Sequence, residues 1–202
     1  MFNRYTMGLV IVVAIILSAC DLFQPRTPEP PNNNNTSPYQ WLQPTSWDIV
    51  LTDLELAFKA LDRKYFLDVL ADTATSSQTF QFIADPNVAS SSGIDFSTWS
   101  FTDEDHFLEA IFSKLSRDTT QILLWSNKIE IPISIDQVEI QADYVLNLKF
   151  NTESRAAYPE HFSGRALLLM EQRQNSNYWQ IIRWEDSENG SLPCWTFLKT
   201  LQ

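Results

Sequence analysis

Between residues 117 and 121 the spacing of apolar residues switches from the helical period to the strand period, and this change narrows the folds open to the chain. Before it, Val50, Leu54, Ala57, Phe58 and Leu61 recur at helical spacing, with Asp53, Glu55, Lys59 and Asp62 mostly on the other side. The helix should begin at Thr45 or Ser46, either of which can accept hydrogen bonds from its first amides. Tyr65, Phe66, Val69 and Leu70 continue as a second short helix, and Phe107, Leu108, Ile111, Phe112 and Leu115 mark a third, with Thr102 as its expected cap. Phe80-Gln81-Phe82 reads as a short strand, and residues 84–93 read as a loop because Pro, Ser and Gly interrupt regular structure there. After the switch, residues 121–125 and 129–133 are expected as short strands, with Pro132 implying an edge or a bulge. Ala142, Tyr144, Leu146, Leu148 and Phe150 alternate with Gln141, Asp143, Val145, Asn147 and Lys149 in a long half-buried strand. Two more strands follow, joined by the turn Gln174-Asn175-Ser176-Asn177. Helices first and meandering strands afterwards predict an α+β domain with an antiparallel sheet.

The first 20 residues are of another kind. Arg4 precedes an uncharged apolar run, Gly8-Leu9-Val10-Ile11-Val12-Val13-Ala14-Ile15-Ile16-Leu17, which is short for a permanent membrane span. Leu17-Ser18-Ala19-Cys20 then resembles the lipobox of bacterial lipoproteins. The resemblance implies a signal peptide over residues 1–19, cleavage before Cys20, and lipidation of Cys20, whose acyl chains (palmitate among them) would hold the mature protein on the exported side of a bacterial cell membrane. Asp21 resembles the inner-membrane retention signal of enterobacterial lipoproteins, a rule that is not general, so inner and outer membrane both stay open. Residues 20–45, rich in Pro, Asn, Thr and Gln, have little to bury and read as a tether. Residues 46–202 are then expected as one domain.

Loss of the leader leaves 13 Lys/Arg against 25 Asp/Glu. Such a charge repels nucleic acid and anionic lipid alike, so membrane contact falls to the lipid and a protein partner or small apolar ligand to the domain. Only Cys194 remains once Cys20 is lipidated, so no disulfide within the chain is available and Cys194 is expected as a small buried hydrophobe.

The order of elements, with Leu54-Glu55-Leu56-Ala57-Phe58 early and Tyr178-Trp179-Gln180-Ile181-Ile182-Arg183-Trp184-Glu185-Asp186 late, looks like the cone-shaped fold of nuclear transport factor 2. Ketosteroid isomerase, scytalone dehydratase and polyketide cyclases share that fold. The resemblance covers residues 46–202 and rests on pattern alone. It implies N-terminal helices packed on a strongly curved sheet, with a conical pocket between them. The same cone serves enzymes, small-ligand binders and protein dimers, so it fixes no function.

Four scattered glycines exclude a phosphate-cradling loop, and no cofactor is expected. His106 and His161 lie far apart in the sequence and no metal site is expected; Asp103-Glu104-Asp105-His106 fits helix capping better, because consecutive helical residues point in different directions. His161-Phe162-Ser163-Gly164 is not a nucleophile elbow. Isomerase-like chemistry would need a carboxylate base in an apolar pocket beside a Tyr or an acid. By residue type Asp53, Tyr144 and His161 are the candidates, with Tyr65 as a further one; periodicity makes Tyr144 a core residue and Asp53 a solvated one. The tryptophans at 99, 125, 179, 184 and 195 are expected to pack the sheet. The leading expectation is a non-enzymatic membrane-anchored binding domain, with a small lyase or isomerase and a structural cell-envelope protein as alternatives.

Overall fold

A computed structural model describes residues 39–201. The leader, Cys20 and most of the Pro/Asn-rich stretch lie outside the described residues. Helix α1 (Trp47–Ala60) is capped by Ser46, whose Oγ accepts from the Ile49 amide, and it ends at Leu61 in the left-handed conformation. Its buried face carries Val50, Leu51, Leu54, Ala57 and Phe58. Asp62 caps α2 (Arg63–Asp68), and the strand β1 (Gln81–Ile83) follows.

The expected loop at 84–93 contains a helix instead, α3 (Pro86–Ser92). Asp85 accepts from the amides of Asn87 and Val88, Pro86 occupies the first turn, where its missing N–H costs nothing, and Gly93 terminates the helix at φ 74°. The Asp-Pro start and Gly stop were helix punctuation, not loop punctuation. Helix α4 (Phe101–Lys114) is capped by Ser100 and not by Thr102; the Asp103 carboxylate reaches back to the Ser100 amide at 2.8 Å.

The strands β2 (Ile122–Pro132), β3 (Gln137–Asn147), β4 (His161–Gln172) and β5 (Trp179–Glu188) form an antiparallel meander, and α5 (Trp195–Lys199) closes the chain. Sheet order is β1-β5-β4-β3-β2, with β1 parallel to β5, so the sheet is mixed at one edge and not wholly antiparallel. The two short strands expected at 121–133 are one strand, its register shifted between Ser126 and Ile129, where Asn127 takes a positive φ. A second shift falls at Leu169 and Met170. Bulges of this kind bend a sheet. Val138, Ile140, Ala142, Tyr144 and Leu146 of β3 face inward with Phe162, Ala166, Leu168 and Met170 of β4, and the helices cover that face.

Candidate functional site

The inner face is occupied by aromatic side chains. Trp195 meets Trp184 at 4.7 Å between ring centroids, Phe58 at 5.2 Å and Tyr144 at 5.9 Å, while Trp125 meets Tyr144 at 5.8 Å and Trp184 at 5.7 Å. Trp184 and Trp195 are almost fully buried, as expected for packing residues, and Trp179 is half-buried. The indole N–H groups of Trp125, Trp184 and Trp195 meet no acceptor among the described residues, which costs about 1–3 kcal/mol each unless water reaches them.

Tyr144 lies in this cluster and pairs with a carboxylate that residue-type reasoning passed over. Its hydroxyl donates to Asp186 Oδ1 at 2.7 Å and accepts from the Trp195 amide at 2.6 Å. The amide and hydroxyl of Thr196 donate to Asp186 Oδ2 at 2.6 and 2.7 Å. The Thr196 hydroxyl in turn accepts from the Asp85 amide at 2.9 Å, so the network ties β3 and β5 to α5 and to the cap of α3. Gly164 makes room for it: an added Cβ would stand 2.7 Å from Tyr144 Cζ and 2.8 Å from the Ser187 carbonyl. Burial raises the Asp186 carboxyl above the usual carboxylate range, opposed by the hydrogen bonds from Thr196 and Tyr144. Burial also raises the Tyr144 phenol well above its ordinary value, and the Asp186 charge adds to this. A tyrosine and an acid therefore converge inside the sheet, but their hydrogen-bonding capacity is taken up by the protein itself.

A second polar pair lies beside it. Lys199, fully buried, is in ion-pair contact with Glu104, which also accepts from the Trp99 indole at 2.8 Å. The ammonium sits 4.3, 4.7 and 4.2 Å from the ring centroids of Phe82, Trp99 and Phe107. Burial lowers the Lys199 pKa to about 8 against the pull of Glu104. The acidic run on α4 is thus divided: Asp103 caps, Glu104 turns inward, and Asp105 pairs with Arg63 at 3.2 Å. Cys194 is buried, and its thiol is pushed up to about 12 by burial and by Asp186, far from a reactive thiolate.

His161 stands exposed at the start of β4, its Nδ1 2.7 Å from Asn147 Oδ1, apart from the other candidates. Asp53 corrects the expectation of a solvated side chain: it is only 4 % exposed. The chain ahead of α1 folds back over it, and one carboxylate oxygen accepts from the Leu42 amide at 3.3 Å, while Pro44 accepts from the Trp179 amide. Helical spacing sets Asp53 beside Val50 and Ala57 at the edge of the buried face, but the cover from the 41–44 segment is not a helical feature. A cleft of about 300 Å³ opens here, lined by Trp41, Asp53, Tyr65, Asp68, Arg173 and Tyr178 among others. Trp41 stacks on Tyr65, with ring centroids 3.7 Å apart and planes 13° apart.

Burial raises the Asp53 pKa from 3.8 to about 6, opposed by the Leu42 hydrogen bond. A carboxyl whose pKa is higher when folded stabilises the fold most when protonated, so its contribution is full below about pH 4 and is lost as pH rises through about 6. Asp53→Asn should accordingly stabilise the domain at pH 7, by about 1–2 kcal/mol once solvent screening at the cleft is allowed for, and leave stability unchanged near pH 3.5. Urea unfolding at the two pH values checks this; equal effects at both would show that the carboxylate is not desolvated.

Solved structures share this architecture. A protein from Novosphingobium aromaticivorans assigned as an aromatic ring hydroxylase aligns at 13 % identity over 75 % of this chain and 92 % of its own, with a TM-score of 0.54. Another from the same organism, assigned as a scytalone dehydratase, aligns at 8 % identity over 73 % and 88 % of the two chains, with a TM-score of 0.51. A nuclear transport factor 2-like protein of unknown function from Shewanella oneidensis aligns at 13 % identity over 69 % and 93 %, with a TM-score of 0.49. No family model and no curated protein matches the chain. Likeness at such identities extends to the fold and not to activity, and the described residues share the α+β fold of the two Novosphingobium aromaticivorans proteins.

Proposed function

We propose that the protein is a bacterial lipoprotein, anchored through Cys20 on the exported side of a membrane, whose domain binds a small ligand without catalysing a reaction. The observation that carries this reading is the contrast between two acidic sites. Asp186 is enclosed with Tyr144 and saturated by hydrogen bonds, whereas Asp53 lines an open cleft with aromatic walls. A lyase or isomerase working inside the cone would have to expose a base that the protein keeps engaged. The apolar run, small residues and cysteine of the leader support the anchor.

Fractionation of the native host tests the anchor. The wild-type chain should partition with membranes and carry acyl groups on Cys20 by mass spectrometry, and Cys20→Ser should abolish both. An unmodified Cys20 in the membrane fraction would defeat the lipoprotein reading.

One feature favours a protein partner as a second reading. The outer face of β2 exposes Leu124, Ile129 and Ile131, continuing to Ile133 and Ile135 beyond the strand. In the same membranes, a photo-crosslinker at position 124 that captures no protein would count against it.

A further inference from the structure

We propose that the cleft between the 41–44 segment, α1, α2 and the β4–β5 turn takes a small organic cation, an ammonium group on an apolar body. This deepens the reading of that cleft as the ligand site and depends on it. Three observations point to a cation.

The first is charge without a partner. In the neighbouring cleft that contains Arg63, the guanidinium is held by Asp105 and Glu109 at 3.2 and 3.0 Å. In the groove below β3 and β4, Lys149 and Arg155 both reach Glu160, at 2.6 and 3.2 Å. Asp53 differs. It is more buried than any of these carboxylates, yet among the described residues no Lys or Arg pairs with it, and its one hydrogen bond is the long contact from Leu42. A buried carboxylate left in this state is costly in the empty protein, and a guest of opposite charge relieves that cost.

The second is the chemistry of the walls. The Trp41–Tyr65 stack and Tyr178 supply electron-rich ring surface, which attracts an ammonium group while accepting an apolar body. The third is the balance of charge in the cleft. Asp68 adds a second acid, whose carboxyl is also raised by burial, and Arg173 is tied to the Asp68 carbonyl oxygen. Arg173 and Lys64, whose ammonium stands 6.0 Å from the Tyr65 ring centroid, both act on Asp68, which leaves the charge of Asp53 without a balancing cation in the cleft. The whole chain, at −11, steers cations toward it.

Because Asp53 must be ionised, binding should weaken as pH falls through about 6, where it takes up a proton. The other groups near it, Asp68, Tyr65 and Lys64 of α2 and Arg173 and Tyr178 of the β4–β5 turn, set the cleft's remaining charge.

The test uses the full chain in detergent micelles, titrated calorimetrically with benzyltrimethylammonium and, separately, with neopentylbenzene, its neutral isostere. The cation should bind saturably at pH 7.5, the isostere about tenfold or more weakly, and Asp53→Asn should weaken the cation by a similar factor. The asparagine keeps the acceptor for the Leu42 amide, so the variant remains folded. If both probes bind equally and Asp53→Asn changes neither, the cleft is a ligand site but not a cation site, and the inference fails alone. If neither probe binds, the reading of the cleft as a ligand site fails with it.

Discussion

Trp195→Ala lowers the unfolding free energy by about 3–5 kcal/mol, the cost of removing a large core aromatic and leaving a cavity that its neighbours fill only in part. Trp195 is fully buried and its ring touches Phe58, Phe66, Tyr144 and Trp184, which belong to α1, α2, β3 and β5, so few of those neighbours can move without disturbing an element. The backbone amide that donates to Tyr144 is kept in the variant, which isolates the loss of the ring from the loss of the hydrogen bond. Chemical denaturation measures the change. A loss below about 1 kcal/mol would mean that the interior tolerates an opening there and is not packed around this residue.

Lys199→Met leaves the Glu104 carboxylate buried without its cation, at a cost of about 3–5 kcal/mol. Adding Glu104→Gln should restore most of that stability, because the amide oxygen still accepts from the Trp99 indole while the unpaired charge is gone. The two changes are therefore strongly non-additive, which a double-mutant cycle measures from the unfolding midpoints. Additive losses would show that Lys199 and Glu104 are independently hydrated. The pair fastens α5, at the end of the chain, to α4, and the Lys199 stem and ammonium pack against the rings of Phe82, Trp99 and Phe107. Methionine keeps much of that apolar packing, so the expected loss reports on charge.

Both pairs also mark where reading the chain one residue at a time stops. The stripes of α1 and α4 and the alternation of β3 were legible because each buries a face whose period is local: Val50, Leu54 and Phe58 in one case, Tyr144 and Leu146 in the other. Tyr144 was placed in the core by that parity. Asp186 lies near the end of β5 and Lys199 in the five-residue α5, and the burial of each charge depends on partners 42 and 95 residues away in the chain. Asp53 looked solvated from its charge, although it stands three residues after Val50 and four before Ala57, on the edge of the buried stripe; the return of the 41–44 segment completes its cover. The helix at Pro86–Ser92 was legible in principle from Asp85, Pro86 and Gly93, but its residues carry no apolar stripe, and without one the Ser-rich run resembled a loop.

Whether ligands enter the cleft by Asp53 or the packed interior between sheet and helices can be tested on the tryptophan side chains themselves. Trp41 lines the cleft, while Trp125, Trp184 and Trp195 pack inside the sheet. Indole N–H resonances of the full chain in micelles, assigned by single substitutions, should be followed during titration with benzyltrimethylammonium. The Trp41 signal should move to saturation while those of Trp125, Trp184 and Trp195 stay in place. Movement of the three interior signals with Trp41 unmoved would place the ligand between the sheet and the helices and contradict binding at the cleft.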